Sequence, residues 1–240
     1  MIGPILQWNC RGLRANYNDL LVLLGSKQPS VCCLQEMKIP PQYSFPNRQY
    51  SLHCSDTVNK NFIDTGILIS NSLPNSTVNL SVNFSAVACR VSLHKPITIC
   101  SIYLPPSSRW DHTDLLSLLA QLPPPVLLMG DFNAHGSLWG CATTDNKGTE
   151  IENLLLNGNL CLLNKKTHSA SIQQLGQDQH WIYPSVILLC SSTSPGLSMV
   201  TCVEVTTTQL FSPLLLHSHQ TVQRGTRYTL LTGQNTPHSV

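Results

Sequence analysis

The sequence predicts an α/β chain of the layered-sandwich kind, and three observations predict it. Short apolar runs rich in Val, Ile and Leu recur between turn residues, helical patterns with spaced leucines lie between several of them, and a long alternating stretch in the middle holds no helical pattern. Short runs closed by Gly, Pro, Asn or Asp read as strands buried on both faces or nearly so. Helical crossovers imply parallel pairing, whereas the middle stretch implies antiparallel hairpins. A layered α/β sandwich accommodates both better than a simple doubly wound sheet does.

In chain order, the strands are ILQW ending before Asn9, VCCL over Val31–Leu34, GILIS from Gly66, AVACRVSL from Ala86, ITICSIYL from Ile97 and VLLM ending at Met129. YNDLLVLLGSK from Tyr17 spaces its leucines for a helix. DHTDLLSLLAQL from Asp111 does so again, with Asp111 as N-cap. TEIENLLLNGN carries a capping-box start at Thr149 with Glu152. TVNLSVNFSAVACRVSLHKPITICSIYL, beginning at Thr77, is the antiparallel meander.

A chain of 240 residues with 42% apolar content can bury a substantial core. Its formal charge of +2 announces neither a nucleic-acid nor a membrane partner, because such partners show as a clustered basic face. Ten cysteines, Cys10, Cys32, Cys33, Cys54, Cys89, Cys100, Cys141, Cys161, Cys190 and Cys202, form no C-x-x-C and no zinc spacing. They read as reduced, buried thiols of an intracellular protein, nuclear or cytoplasmic and not secreted. MIGPILQWNCRG is not a leader of the charged-then-apolar kind, and no run of eighteen apolar residues occurs, so no membrane partner is expected.

Polar groups stand at the strand ends, where open α/β sheets bind ligands. Asn9 follows the first run, Glu36 the second, Tyr103 precedes a Pro-Pro break, and Asp131 and Asn133 follow VLLM. One strand-end Asn or Glu is usually a turn former or a cap. Four such ends in succession read as a site for a hard cation and a phosphate: Glu36 offers a carboxylate oxygen to Mg²⁺, Asn9, Asp131 and Asn133 contact phosphate or water, and Tyr103 donates to a phosphate oxygen. His135 stands at the rim of this site or in a solvated turn. Arg11 and Arg14 contact DNA phosphates or are merely solvated. Trp139 reads as core packing rather than base stacking.

The motifs WNCRGL (Trp8–Leu13), LQE (Leu34–Glu36), IYLPP (Ile102–Pro106), GDFNAH (Gly130–His135) with LWG (Leu138–Gly140), and IENLLLNGNLCLLN (Ile151–Asn164) resemble the endonuclease domain of non-LTR retrotransposon polyproteins. That domain belongs to the DNase I-like endonuclease/exonuclease/phosphatase superfamily. The resemblance covers about residues 5 to 168, taken here as the domain (1–168). It implies a four-layer α/β sandwich that nicks DNA with Mg²⁺, Mn²⁺ being an alternative, to expose a 3′-hydroxyl for reverse transcription. In a full-length element a reverse transcriptase domain would follow in the same chain. Carried over, Asn9, Glu36, Tyr103, Asp131 and Asn133 match the family's catalytic set, with Glu36 on the metal, and Thr167 matches its phosphate-contacting threonine. Met37 departs from the family, which often has Thr after the Glu.

Two family motifs are missing: S-x-L-D-L-S, with one Asp, and G-S-D-H-x-P, whose Asp orients a general-base His. Both reappear one base out of step. Trp has a single codon, and joining the last base of each codon to the first two of the next across His180, Trp181 and Ile182 forces Leu-Asp. The same offset over Asp178–Pro184 permits S-A-L-D-L-S, and over SMVTCVEVTTTQL (Ser198–Leu210) it permits H-G-D-L-C-G-S-D-H-Y-P-I. One single-base deletion, or an equivalent splice or gene-model error, between about His168 and Gln179 accounts for both. Residues 169–240 are therefore expected to be an out-of-frame, poorly ordered tail, with the closing strands lost and the enzyme impaired. The bland alternative is a genuine polar tail. His168, His180, His217 and His219 have no strand context that would make them a substitute base. Two other readings stay open: a decayed, non-catalytic remnant, and a phosphoesterase of the same superfamily acting on abasic sites, lipids or inositol phosphates.

Overall fold

Alternation along the strands sorts their side chains onto two faces, and that sorting builds the layers. The computed structural model describes residues 2–55, 61–139, 141–157, 160–163, 185–190 and 205–207. Its strands are β1 (Ile5–Asn9), β2 (Val31–Gln35), β3 (Tyr50–Cys54), β4 (Gly66–Ser70), β5 (Asn75–Val78), β6 (Ser85–Ser92), β7 (Pro96–Tyr103), β8 (Val126–Asp131), β9 (Leu160–Leu162), β10 (Ser185–Cys190) and β11 (Val205–Thr207). The helices are α1 (Tyr17–Lys27), α2 (His112–Ala120) and α3 (Asn146–Asn157), with a 3₁₀ turn at Ser137–Trp139. One sheet runs β11-β1-β2-β4-β3 and the other β5-β6-β7-β8-β10-β9.

Inward residues of the first sheet, Ile5, Val31, Cys33, Ile67 and Ile69, meet Val87, Cys89, Ile99, Leu127 and Met129 of the second. Their alternates face outward. Leu6, Trp8, Cys32, Leu34 and Leu68 pack under Leu20, Leu23 and Leu24 of α1. On the far side Ala88, Cys100, Ile102 and Leu128 pack under Leu115 and Leu118 of α2 and Ile151 and Leu154 of α3. The result is the expected four-layer sandwich. The meander is confirmed as β5, β6 and β7 paired antiparallel, while β1 with β2 and β7 with β8 are parallel. Among the described residues no helix is long and apolar enough to cross a membrane.

Helix α2 starts as expected: Asp111 accepts from the backbone N–H groups of Thr113 and Asp114, and Asp114 completes a capping box. Helix α3 begins three residues before the predicted Thr149. Asp145 is its cap, accepting from the Gly148 N–H at 2.6 Å, and its carbonyl accepts from the N–H and the hydroxyl of Thr149. An aspartate is at least as good an N-cap as a threonine, and its position takes Asn146–Gly148 into the first turn.

The closing strands expected to be lost are represented by two short ones. β10 lies antiparallel between β8 and β9, and β11 lies parallel to β1. The run SVILLC has the apolar, β-branched composition of a strand whatever reading frame produced it. Apart from β10 and β11, the predicted tail 169–240 lies outside the described residues, as do Thr167, His168, His180, His217 and His219.

Within a helix, Gly→Ala ordinarily stabilises by about 1 kcal/mol. At Gly148 an added Cβ would meet the carbonyl oxygen of His135. Gly148→Ala is therefore expected to lower stability by about 1–3 kcal/mol in urea unfolding, the reverse of the usual sign.

Candidate active site

Strand register delivers the candidate groups to one edge of the sandwich. Asn9 ends β1, Tyr103 ends β7 and Asp131 ends β8, while Glu36 is the first residue after β2. Tyr103 and Asp131 are register partners across the β7–β8 pair, and Asn9 is the register partner of Gln35, the residue before Glu36. The parallel pairing of each couple makes these C-terminal ends coincide.

The side-chain amide of Asn9 joins the two sheets. Its Nδ2 donates to Glu36 Oε1 at 2.8 Å and to Asp131 Oδ2 at 2.7 Å, and its Oδ1 accepts from the Arg11 N–H at 3.2 Å. Glu36 sits at φ +50°, a left-handed conformation uncommon for a residue other than glycine. Neighbouring hydrogen bonds hold it there: the Gly12 N–H donates to the Glu36 carbonyl, the Leu13 N–H to that of Met37, and the Met37 N–H to that of Asp64. Met37, the departure from the family pattern, is fully buried. Its thioether lies over Gly66, where a Cβ would come within 2.7 Å of the Met37 methyl carbon, so Gly66 makes the room that Met37 fills.

On β8, Asp131 Oδ1 accepts from the Asn133 N–H at 3.0 Å, and Asn133 Nδ2 donates to the Leu104 carbonyl at 3.0 Å. Asn133 itself adopts φ +47°, which asparagine tolerates better than most residues. The Leu104 N–H donates to the Asp131 carbonyl, so the ends of β7 and β8 are fastened in both directions.

Negative charge accumulates here. Burial raises the Asp131 carboxyl above its ordinary value, the bond from Asn9 opposes that rise, and Glu36 adds to it. Burial likewise raises Asp64, which Lys38 partly offsets and Glu36 reinforces. Burial pushes the Tyr103 phenol far above the tyrosine range, with Glu36, Asp131 and Asp64 adding to it, and the phenol hydrogen-bonds Glu36. Tyr103 is thus a proton donor at any physiological pH. Lys38 Nζ lies 3.2 Å from Glu36 Oε2, and Arg11 is near enough to draw the Asp131 carboxyl back down.

The donor set suits a cation. Two carboxylates, Glu36 and Asp131, converge on the Asn9 amide N–H group, where burial and like charge both disfavour unneutralised carboxylate. Among the described residues no cluster of three or more His, Cys, Asp or Glu side chains could hold a metal. One or two carboxylates are what a hard, largely hydrated ion takes from a protein while keeping its waters.

The structure brings together Asn9, Glu36, Tyr103, Asp131 and Asn133, with Arg11 beside them. His135 is half-exposed and its Nδ1 pairs with Asp145 Oδ2 at 3.0 Å, the α3 cap. Trp139 is core, as predicted: it is buried and donates its indole N–H to the Ala134 carbonyl at 3.1 Å. Sequence reasoning missed Asp64, Lys38 and Lys147. Lys147 Nζ donates to the carbonyls of Pro105 at 3.1 Å and Pro106 at 2.8 Å, fastening α3 to the segment after Tyr103. Glu36 with Lys38 two residues on was a readable signal; Asp64 and Lys147 had none.

The profile of the endonuclease-reverse transcriptase family matches residues 97–212. The RNA-directed DNA polymerase from mobile element jockey of Drosophila melanogaster is 26% identical over 167 residues, 66% of this chain and 18% of that protein. The probable RNA-directed DNA polymerase from transposon X-element of the same species is 28% identical over 97 residues, 38% of this chain and 10% of that one. The chain thus spans less than a fifth of the length of these curated relatives. Among solved structures, the endonuclease domain of TRAS1, a telomere-specific non-LTR retrotransposon, superposes with a TM-score of 0.62 at 18% identity, covering 79% of this chain and 84% of that one. An AP endonuclease from Archaeoglobus fulgidus does so with a TM-score of 0.54 at 14% identity, covering 79% and 86%. The fold is the DNase I-like sandwich.

Asn9→Ala removes the donor shared by two carboxylates and is expected to cost about 1–3 kcal/mol of stability at neutral pH. The bond favours ionised Asp131, so the loss is present above that group's raised folded value. It fades as pH falls through that value toward about 4, where the carboxyl is protonated. Urea unfolding of both proteins across that range checks sign and window.

Proposed function

We propose that the chain, which is similar to the endonuclease-reverse transcriptase family and shares the fold of a non-LTR retrotransposon endonuclease domain, is such a domain and that its site is the Mg²⁺- and phosphate-binding part of a DNA-nicking centre. In a full-length element the nick would expose a 3′-hydroxyl to a reverse transcriptase domain in the same chain. The observation that carries this reading is the Asn9 amide tying Glu36 and Asp131 together at the meeting strand ends.

Glu36 would hold the ion, with Asn9 and Asp131 beside it; Mn²⁺ suits the same oxygen donors. When bound, the metal withdraws charge from the scissile phosphate and eases departure of the leaving oxygen. The chain's own residues bind and orient. Asn9 fixes the spacing of the two carboxylates, and Tyr103, kept protonated by its surroundings, donates to a phosphate oxygen. Asp131, held by Asn9 and by the Asn133 N–H, keeps the β8 end in place, while Arg11 and Arg14 meet the DNA backbone. DNA is the partner, and the work is nuclear or cytoplasmic.

The general base is a separate matter. No S-D-H occurs in the chain, and a reading offset by one base permits it. We therefore take the product as written to be catalytically impaired, since a general base contributes on the order of 10²–10⁴ to such a rate.

Supercoiled-plasmid relaxation with Mg²⁺ tests this. The expected result is negligible nicking by the chain as given and nicking roughly 10²–10⁴ faster by the version with its frame restored after about residue 170, abolished there by Glu36→Ala. Equal rates for the two versions, or nicking indifferent to Glu36→Ala, would overturn it. Gel shifts at two salt concentrations would separate a weak DNA binder from an inert remnant.

A further inference from the structure

Beneath the site a short chain of polar side chains crosses the otherwise apolar layer between the sheets. Gln7 is 2% exposed, and Gln35 and Ser101 are fully buried. Gln7 Nε2 donates to Gln35 Oε1 at 3.1 Å, and Gln35 Nε2 donates to Ser101 Oγ at 3.0 Å. The Ser101 hydroxyl in turn donates to the Leu34 carbonyl at 3.4 Å. The chain thus leaves β1, passes through β2 and reaches β7 in the opposite sheet.

Each member sits just before a site residue. Gln7 precedes Asn9 by two and Ser101 precedes Tyr103 by two, so each shares a face with its partner. Gln35 is immediately before Glu36. The surrounding layer is Ile, Val, Leu and Cys, and an aliphatic side chain at position 35 would fill the space without the desolvation cost of a buried amide. What the amide adds is direction: it accepts from one strand and donates to another, and a shift of either sheet breaks one bond or both.

We propose that Gln35 is a positioning residue: through Gln7 and Ser101 it fixes the relative register of β1, β2 and β7, and thereby holds Glu36 in place against Asn9 and Tyr103. It touches no reacting group. This rests on the reading of Glu36 as the metal-holding residue.

The test is calorimetric titration of the full chain with Mn²⁺, alongside thermal unfolding. Wild type is expected to bind one ion that Glu36→Ala abolishes. Gln35→Leu is expected to unfold cooperatively yet bind Mn²⁺ about tenfold more weakly, the scale seen when groups that orient metal ligands are removed. Ser101→Ala, a smaller change that settles the matter should Gln35→Leu fail to fold, is expected to weaken binding in the same direction. The double variant is expected to be no weaker than Gln35→Leu alone, because both remove one network. Mn²⁺ binding within twofold of wild type in whichever of these variants folds, with only the melting temperature lowered, would overturn the inference and leave the proposed function standing. No Mn²⁺ binding by wild type, or binding indifferent to Glu36→Ala, would overturn the reading of the site and this inference with it.

Discussion

One amide nitrogen governs this structure. Asn9 Nδ2 donates to a carboxylate from its own sheet and to one from the facing sheet, and those bonds form only if the two sheets meet at a fixed height. The rest serves that meeting. Parallel pairing of β1 with β2 and of β7 with β8 aligns the four C-terminal ends, and the aliphatic layer between the sheets sets their separation. Glu36 and Asn133 turn off their strands in left-handed conformations, and surrounding backbone hydrogen bonds keep them there.

The same arrangement places charge where an isolated protein would not want it. Asp131, Asp64 and Glu36 share a region with the phenol of Tyr103, and burial shifts three of these groups toward their protonated forms. Lys38 and Arg11 offset only part of this. A core chosen for stability alone would not collect carboxyls this way, whereas a centre that takes a cation and a phosphate needs them. The chain's similarity in fold to a retrotransposon endonuclease domain accords with that balance.

The residues legible in the sequence were those whose position is local. Asn9, Glu36, Tyr103, Asp131 and Asn133 each follow a short apolar run, so strand-end placement could be read directly. What escaped was set by distant partners or by weak local pattern. Asp64 joins the site because its carbonyl accepts from the Met37 N–H, and Lys147 because α3 packs over the Pro105–Pro106 segment. β3 and β5, YSLHC and NSTV, are too polar and short to announce themselves. The start of α3 was misplaced because Asp145, four residues earlier, caps the Gly148 N–H and begins the helix before Thr149. β10 shows the converse: its composition suffices for a strand, so pairing alone does not report which frame encoded it.

The cysteines have a chemical consequence. Cys10, Cys32, Cys33, Cys89 and Cys100 are buried and unpaired by disulfides, and burial pushes the Cys10 and Cys89 thiols up to about 12. Thiolate is the reactive species, so in the folded sandwich these sulfurs are slow toward electrophiles and oxidants. Separating the sheets would expose Cys33 and Cys89, which lie in the layer between them, and this makes alkylation of those two a built-in clock for opening of the very layer that aligns the strand ends.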